Sequence, residues 1–520
     1  MRTRVHDLLI ERARLDGSAA ALTYQDRTVD YRALADETSR VATGLRRAGV
    51  EREDRVAVFA EKRIETVVAL FATSAAGGVF VPVNPILKPD QVCHILADCD
   101  VRVLVTTTAR WELLADAAKG CSALHTVVLI DGGVEQTAEV VLLSYADLVE
   151  SPPAQEQSPG VDLDLAAILY TSGSTGKPKG VVLSHRNLLV GAESVSSYLE
   201  NTADDVILSA LPISFDAGLS QLTTAFAVGA HVVLANYLFP RDLVRLCEQH
   251  SVTGLTCVPP LWIQLVDVDW PARARASLRY FANTGGRMPR TTLDRLRALF
   301  PEASPFLMYG LTEAFRSTFL APAQVAVRPD SIGKAIPNAE ILVVRPDGGL
   351  AGPGEEGELV HRGPLVAMGY WNDPERTADR FRPLPGHPDG WRQPELAVWS
   401  GDTVRIDEEG YLYFVGRTDD MIKTSGYRIS PTEIEEVAYD TGLVRDAVAL
   451  GLPDDRLGHR VVLVVTLAAD ADAAVDRLRA DLRRTLPLFM VPAEIRVVDD
   501  LPRSPNGKFD RNRIRTELTA

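Results

Sequence analysis

The sequence predicts an α/β protein in two parts. The larger, N-terminal part has parallel-type sheets with packed helices and adds a small antiparallel barrel; a smaller α+β unit follows. Three observations predict this. Strand-like and helix-like segments alternate from about Asp54 to Tyr309, short strands separated by Gly/Asp turns follow Pro337, and a second helix–strand set begins near Thr418. At 520 residues the chain is also too long for one compact core.

The elements follow in order. The opening MRTRVHDLLIERARLDG has apolar residues at helical spacing broken by charges, and it lacks the pattern of a signal peptide. DRVAVFA then ETVVALFATSAAGG, VRVLVTT then WELLADAAKG, GAHVVLA then RDLVRLCEQH, and LRYFANT then TTLDRLRALF each read as a strand followed by a helix. Such alternation argues for parallel sheets covered by helices. Pro152, Pro153 and Pro159 mark a loop between two such layers. EILVVRPDGG, GELVHRG, VWSGDTVRIDEEG and YLYFVGR are the short antiparallel strands. The last unit reads as a helix (PTEIEEVAYD), strands (DAVALGLP, RVVLVVTLA), a helix (DAAVDRLRADLRRTL) and a strand (AEIRVVD), with a boundary near Asp419 giving domains 1–418 and 419–520.

Bulk properties narrow the function. Hydrophobic and charged contents of 46% and 24% are those of a globular protein. The net charge of -15, from 55 basic and 70 acidic residues, disfavours nucleic-acid and membrane partners, although a local nucleotide pocket is compatible with it. Five cysteines without metal-ligand or disulfide spacing, and no apolar run of membrane-spanning length, lead to the expectation of a cytoplasmic protein.

The strongest local signal follows the strand LAAILY: Tyr170, Thr171, Ser172, Gly173, Ser174, Thr175, Gly176, Lys177, Pro178, Lys179, Gly180. Glycines and hydroxyl residues let backbone N–H and side-chain O–H groups close around phosphate oxygens, and lysines add charge. A Walker A loop is excluded, because Thr171 stands where that motif has its first glycine and Pro178 follows Lys177 where Ser or Thr is required.

This stretch resembles the phosphate loop of the AMP-forming adenylating enzymes: acyl-CoA synthetases, peptide-synthetase adenylation domains and luciferases. Four more segments resemble that superfamily's motifs in its order: Tyr309-Gly310-Leu311-Thr312-Glu313, Trp399-Ser400-Gly401-Asp402, Gly416 to Arg428, and Pro505 to Arg511. The chain is closest in motif to stand-alone acyl- and aminoacyl-AMP ligases. The resemblance implies ATP and Mg2+ as cofactors. It places Thr312 at the α-phosphate, Glu313 on magnesium, Tyr309 at the nucleotide, Asp402 and Arg417 on the ribose, and Lys508 as the catalytic lysine. It makes Asp419 the hinge of a mobile C-terminal domain that serves two half-reactions. Charge building on an already anionic phosphorus gives the physical reason for such pre-placed cations.

Carried over residue by residue, the acid pocket comprises Phe215, Asp216, Ala217, Ser220, Ala282, Thr284, Gly285, Met308, Gly310, Arg316 and Ser317. The Phe215–Asp216 pair resembles the one whose Asp anchors an ammonium in amino-acid adenylation domains, which favours an amino or β-amino acid; an amine-free acid is the alternative. Arg316 as a second pocket cation would receive a second carboxylate or another polar group of the acid; Asp216 as a helix cap, an internal Asp216–Arg316 ion pair, and an Arg316 that points to solvent are the competing structural roles. The acceptor implied is a thiol, of coenzyme A or of a phosphopantetheine-bearing carrier protein acting in trans. Arg479, Arg483 and Arg484 form either a carrier-docking patch or a solvated helix face. The rivals to this function are a non-thiol acceptor and a non-catalytic nucleotide sensor.

Overall fold

The computed structural model describes residues 2–132, 140–153, 160–171, 178–384, 395–417, 420–424, 427–454, 457–468, 474–488, 490–505 and 507–519. Pro159, the loop residues Ser172–Lys177, Asp419 and Gly426 lie outside them.

Among the described residues the strands form sheets of 14, 8 and 5. In the eight-stranded sheet the strands Leu165–Thr171, Val79–Pro82, Arg55–Phe59, Val101–Thr106, Thr126–Leu129 and Val141–Ser144 run parallel, and Lys179–Ser184 returns antiparallel to Leu165–Thr171. In the largest sheet His231–Leu234, Val206–Ser209, Gly254–Cys257, Tyr280–Asn283 and Ser304–Tyr309 are parallel. These strands are buried on both faces, which is why they read as continuous apolar runs.

Two helices, Ile64–Ala76 and Asp216–Val228, are buried almost all round and share one hydrophobic core. A helix without a polar face belongs between layers, and their sequences have none. Asp216–Val228 also approaches the preceding loop closely. A Cβ on Gly218 would stand 1.9 Å from the Pro212 carbonyl oxygen, so only glycine allows this packing.

The segments expected as a small barrel form antiparallel strands that extend the largest sheet. Thr318–Leu320 and Ser331–Ala335 lead from Ser304–Tyr309 to Leu412–Arg417, Leu396–Ile406, Glu356–Arg362 and Glu340–Val344. Residues 422–518 fill two small cores on opposite faces of the five-stranded sheet. The helices Pro431–Asp440 and Ala474–Thr485 cover one face, and Arg511–Thr519 covers the other. Among the described residues no helix is long and apolar enough to cross a membrane.

Candidate active site

The sequence-predicted residues converge at the C-terminal ends of the parallel strands, where open α/β sheets present their loops. The strand Ser304–Tyr309 delivers Tyr309, and a 3-10 turn, Thr312–Ala314, buries Thr312 and Glu313. Phe315 then takes φ +59, a conformation that costs a non-glycine residue of order 1–3 kcal/mol. Its carbonyl accepts a 2.8 Å hydrogen bond from Arg316 Nη1, so the strained residue and the arginine are locked together.

Glu313 Oε1 accepts from Lys179 Nζ at 2.9 Å and from Tyr370 Oη at 2.6 Å. Burial opposes ionisation of this carboxyl, but Lys179 and the hydrogen bonds outweigh it and hold the value at about 2. The Lys179 ammonium also lies 4.1 Å from the Tyr370 ring centroid. Across the cleft Asp402 sits opposite Arg417 on neighbouring strands, with Nε to Oδ1 at 3.5 Å, and receives a hydrogen bond from the Tyr309 hydroxyl.

Asp216 stands at the first helical position, one residue past the N-cap Phe215. Its Oδ2 accepts from Arg316 Nη1 at 2.9 Å, with the two side chains only 3% and 2% exposed. Of the competing roles set out from sequence, the internal ion pair is the one present. Thr312 Oγ1 lies 3.5 Å from the other Asp216 oxygen.

Lys508 reaches this group from the C-terminal part of the chain. Its Nζ stands 5.3 Å from the Phe215 ring centroid, and burial lowers its pKa, with Asp216 and Asp402 acting to raise it and Arg417 and Arg316 to lower it. A Cβ on Gly285 would lie 3.0 Å from Lys508 Cε, and Gly285 also has φ +76, so glycine serves twice there. The loop carrying Lys508 is fixed at both ends. Asn84 Nδ2 donates to the Pro505 carbonyl at 2.9 Å, while Arg511 Nη2 donates to both carboxylate oxygens of buried Glu435 at 2.7 and 2.9 Å.

Ala217, Ser220, Met308 and Arg316 line one cavity, and Ala282 and Thr284 are buried on and just after the strand Tyr280–Asn283. A Cβ on Gly310 would lie 3.0 Å from Arg316 Cα, so this glycine lets the arginine backbone close in. Ser317 is turned elsewhere: its Oγ is 2.9 Å from Nδ1 of buried His361. Thr171 ends the strand before the phosphate-type loop. Its Oγ1 is buried without a hydrogen-bond partner among the described residues. Sequence reasoning missed Tyr370 and Asn84, which lie in no recognised motif. It treated Lys179 only as added charge, although its place in the glycine-rich stretch was the available signal.

The AMP-binding enzyme family matches residues 9–371, and its C-terminal domain matches residues 433–508. The chain belongs to the AMP-binding enzyme family. As such it is an ATP-dependent, AMP-forming ligase of the adenylating superfamily, and the fold described above is that of its relatives. It is 31% identical over 510 residues to feruloyl-CoA synthase of an Amycolatopsis species, covering 97% of each chain. It is 28% identical over 513 residues to a linear gramicidin synthase of Brevibacillus parabrevis, covering 98% of this chain but only 10% of that protein's length. The structure of ATP-bound MatB from Rhodopseudomonas palustris shares 27% identity at a TM-score of 0.84, covering 99% of each chain. For this AMP-binding enzyme, ATP is thus the nucleotide to be fitted to the cleft.

Proposed function

We propose that this enzyme activates a small, amine-free carboxylic acid as its acyl-adenylate and transfers the acyl group to the thiol of coenzyme A. The observation that carries the choice of acid is the Asp216–Arg316 pair. An ammonium anchor needs a carboxylate free to take it, and Asp216 is already neutralised at 2.9 Å inside a buried wall. Displacing Arg316 would leave a buried cation without its partner, a cost of several kcal/mol. Coenzyme A as acceptor is supported by full-length similarity to feruloyl-CoA synthase. A second reading, an amino-acid substrate, rests on the Phe215–Asp216 motif and requires Arg316 to give way.

In this reading Thr171 and the loop Ser172–Lys177 cradle phosphate oxygens, and Asp402 and Arg417 take the ribose hydroxyls. The ionised Glu313 offers the kind of hard anionic oxygen magnesium uses, and the metal would neutralise phosphate charge there. Thr312 donates its hydroxyl at the α-phosphate. Lys508 places its ammonium between the acid's carboxylate and the phosphate, where negative charge concentrates as the mixed anhydride forms. Desolvation of Lys508 makes that interaction stronger than it would be in water. After pyrophosphate leaves, the unit 419–520 turns about Asp419, withdrawing Lys508 and opening a route for the thiol. The thiolate then attacks the acyl carbon and AMP leaves.

The test is ATP–pyrophosphate exchange with matched pairs of amino acids and their des-amino analogues. Exchange is expected with the amine-free member of each pair. Preference for the amine-bearing member would overturn the choice of acid and leave the enzyme class standing.

A further inference from the structure

Below Arg316 a narrow cavity of about 20 Å³, room for one water-sized group, lies between the helices His185–Tyr198 and Asp216–Val228 and the strand Tyr280–Asn283. Val195, Leu199, Ile207 and Met308 give it an apolar wall, but Asn201 and Tyr280 also line it. Asn201 is 8% exposed, and among the described residues its Oδ1 has no hydrogen-bond partner. A buried amide oxygen left unsatisfied costs about 1–3 kcal/mol, so the position calls for a small hydrogen-bond donor, a water or a ligand hydroxyl.

The orientation of this amide is fixed by what lies behind it. Asn201 Nδ2 donates to Asp205 Oδ2 at 3.1 Å and to the Tyr280 hydroxyl at 3.4 Å. Asp205 is in turn held by Arg279 at 2.8 Å and by Thr253 Oγ1 at 2.6 Å. Burial raises the Asp205 carboxyl, yet these bonds prevail and keep it below the usual range, so it remains an acceptor. Turning the amide over would set its oxygen against that carboxylate. Donation from Nδ2 to a charged acceptor also polarises Asn201, which makes Oδ1 a better acceptor. The Tyr280 oxygen accepts from Asn201 and keeps its own proton for donation. Space for that hydroxyl is secured across the sheet, since a Cβ on Gly254 would come within 2.4 Å of it.

One acceptor and one donor therefore sit side by side at the cavity wall, and Lys508 is not among the residues that line it. The Asp216–Arg316 pair leaves this wall without an uncompensated charge, so a neutral group fits better than an ammonium or a second carboxylate. We infer that Asn201 and Tyr280 are specificity-determining residues that recognise a hydroxyl group on the acid, remote from its carboxylate. The substrate O–H donates to Asn201 Oδ1, and its oxygen accepts from Tyr280 Oη. This deepens the proposal that the enzyme activates an amine-free acid and rests on it.

The experiment compares kcat/KM for ATP–pyrophosphate exchange between hydroxy acids and their deoxy counterparts of equal carbon skeleton, both ω-hydroxyalkanoates of three to eight carbons and hydroxybenzoates. For the preferred skeleton the hydroxylated acid is expected to lead by at least about tenfold. Asn201→Leu should bring that ratio to within about twofold of unity, by losing the hydroxy acid rather than by gaining or losing the deoxy acid. Tyr280→Phe, which removes one oxygen, should lower the ratio several-fold. These ratios are internal to each variant, so a general loss of folded enzyme does not move them. Equal use of both acids by the wild type, as when a trapped water satisfies Asn201, would overturn the inference alone, as would an unchanged ratio in Asn201→Leu. Silence with every amine-free acid would overturn the functional reading and the inference with it.

Discussion

Replacing Arg316 with methionine removes the counter-charge of Asp216 while roughly keeping side-chain volume. Both partners are almost wholly buried, and Arg316 Nη1 serves the Asp216 carboxylate and the Phe315 carbonyl at once. Removing one partner of such a pair costs about 3–5 kcal/mol, because the remaining charge is left in a poorly solvated site. With an unfolding entropy of about 2.1 cal/mol/K per residue and roughly 400 residues unfolding together, the loss corresponds to about 4–6 °C in Tm. Asp216→Ala should cost a similar amount, and the double variant should cost clearly less than the sum, since it leaves no orphan charge. The same change should alter substrate choice. With Asp216 released, an ammonium replaces the guanidinium, so the ratio of exchange with an amino acid to exchange with its des-amino analogue should rise at least about tenfold in Arg316→Met. Thermal unfolding and pyrophosphate exchange on the four proteins measure both effects. Additive Tm losses with an unchanged substrate ratio would refute the pairing as the reason the pocket rejects amines.

Two further outcomes follow from the same geometry. Arg287 bonds Asp330 at 3.0 Å in the N-terminal part and is ion-paired with Glu436 on the helix Pro431–Asp440, so it holds the Lys508-engaged arrangement. Glu436→Ala should slow adenylation by roughly fivefold, the equivalent of about 1 kcal/mol, and leave thiol transfer from a supplied adenylate undiminished; equal loss of both would make the contact merely structural. His6, His185, His231 and His361 are kept neutral chiefly by burial, at about 3, about 4, about 4 and about 3. The unfolded chain takes up protons on them below about pH 6.5 while the native state does not, so stability is full above that pH and falls as pH drops toward 4. The slope should approach about 5 kcal/mol per pH unit, followed through urea midpoints, and His361→Gln should remove about a quarter of it; midpoints flat between pH 8 and 5 would contradict this.

Much of the molecule was legible in the sequence, for reasons of pattern length. Runs such as VRVLVTT and RVVLVVTLA are buried strands because nothing else accommodates so many β-branched residues, and both stand where expected. The motif residues Tyr309, Thr312, Glu313, Asp402 and Lys508 could be named because each sits within a run of recognisable neighbours. Side-chain direction could not be read. Asp216 and Arg316 are 100 positions apart, and spacing does not say whether each turns to a ligand or to the other. Tyr370 meets Lys179 across 191 positions and has no motif to announce it. The antiparallel segments after Pro337 were recognised as strands, but their continuation of the large sheet depends on Ser331–Ala335 pairing with Leu412–Arg417, a contact between distant segments with no local signature.

The most direct test of the chemistry separates the two half-reactions in Lys508→Ala. Pyrophosphate exchange with the best acid should fall by at least about a thousandfold, as expected when a charge made for the transition state is lost from a buried site. Transfer of the acyl group from supplied acyl-adenylate to coenzyme A should stay within a few-fold of wild type. Equal loss of both steps, or exchange that survives without Lys508, would contradict its assignment to adenylation and the turning of residues 419–520 between steps.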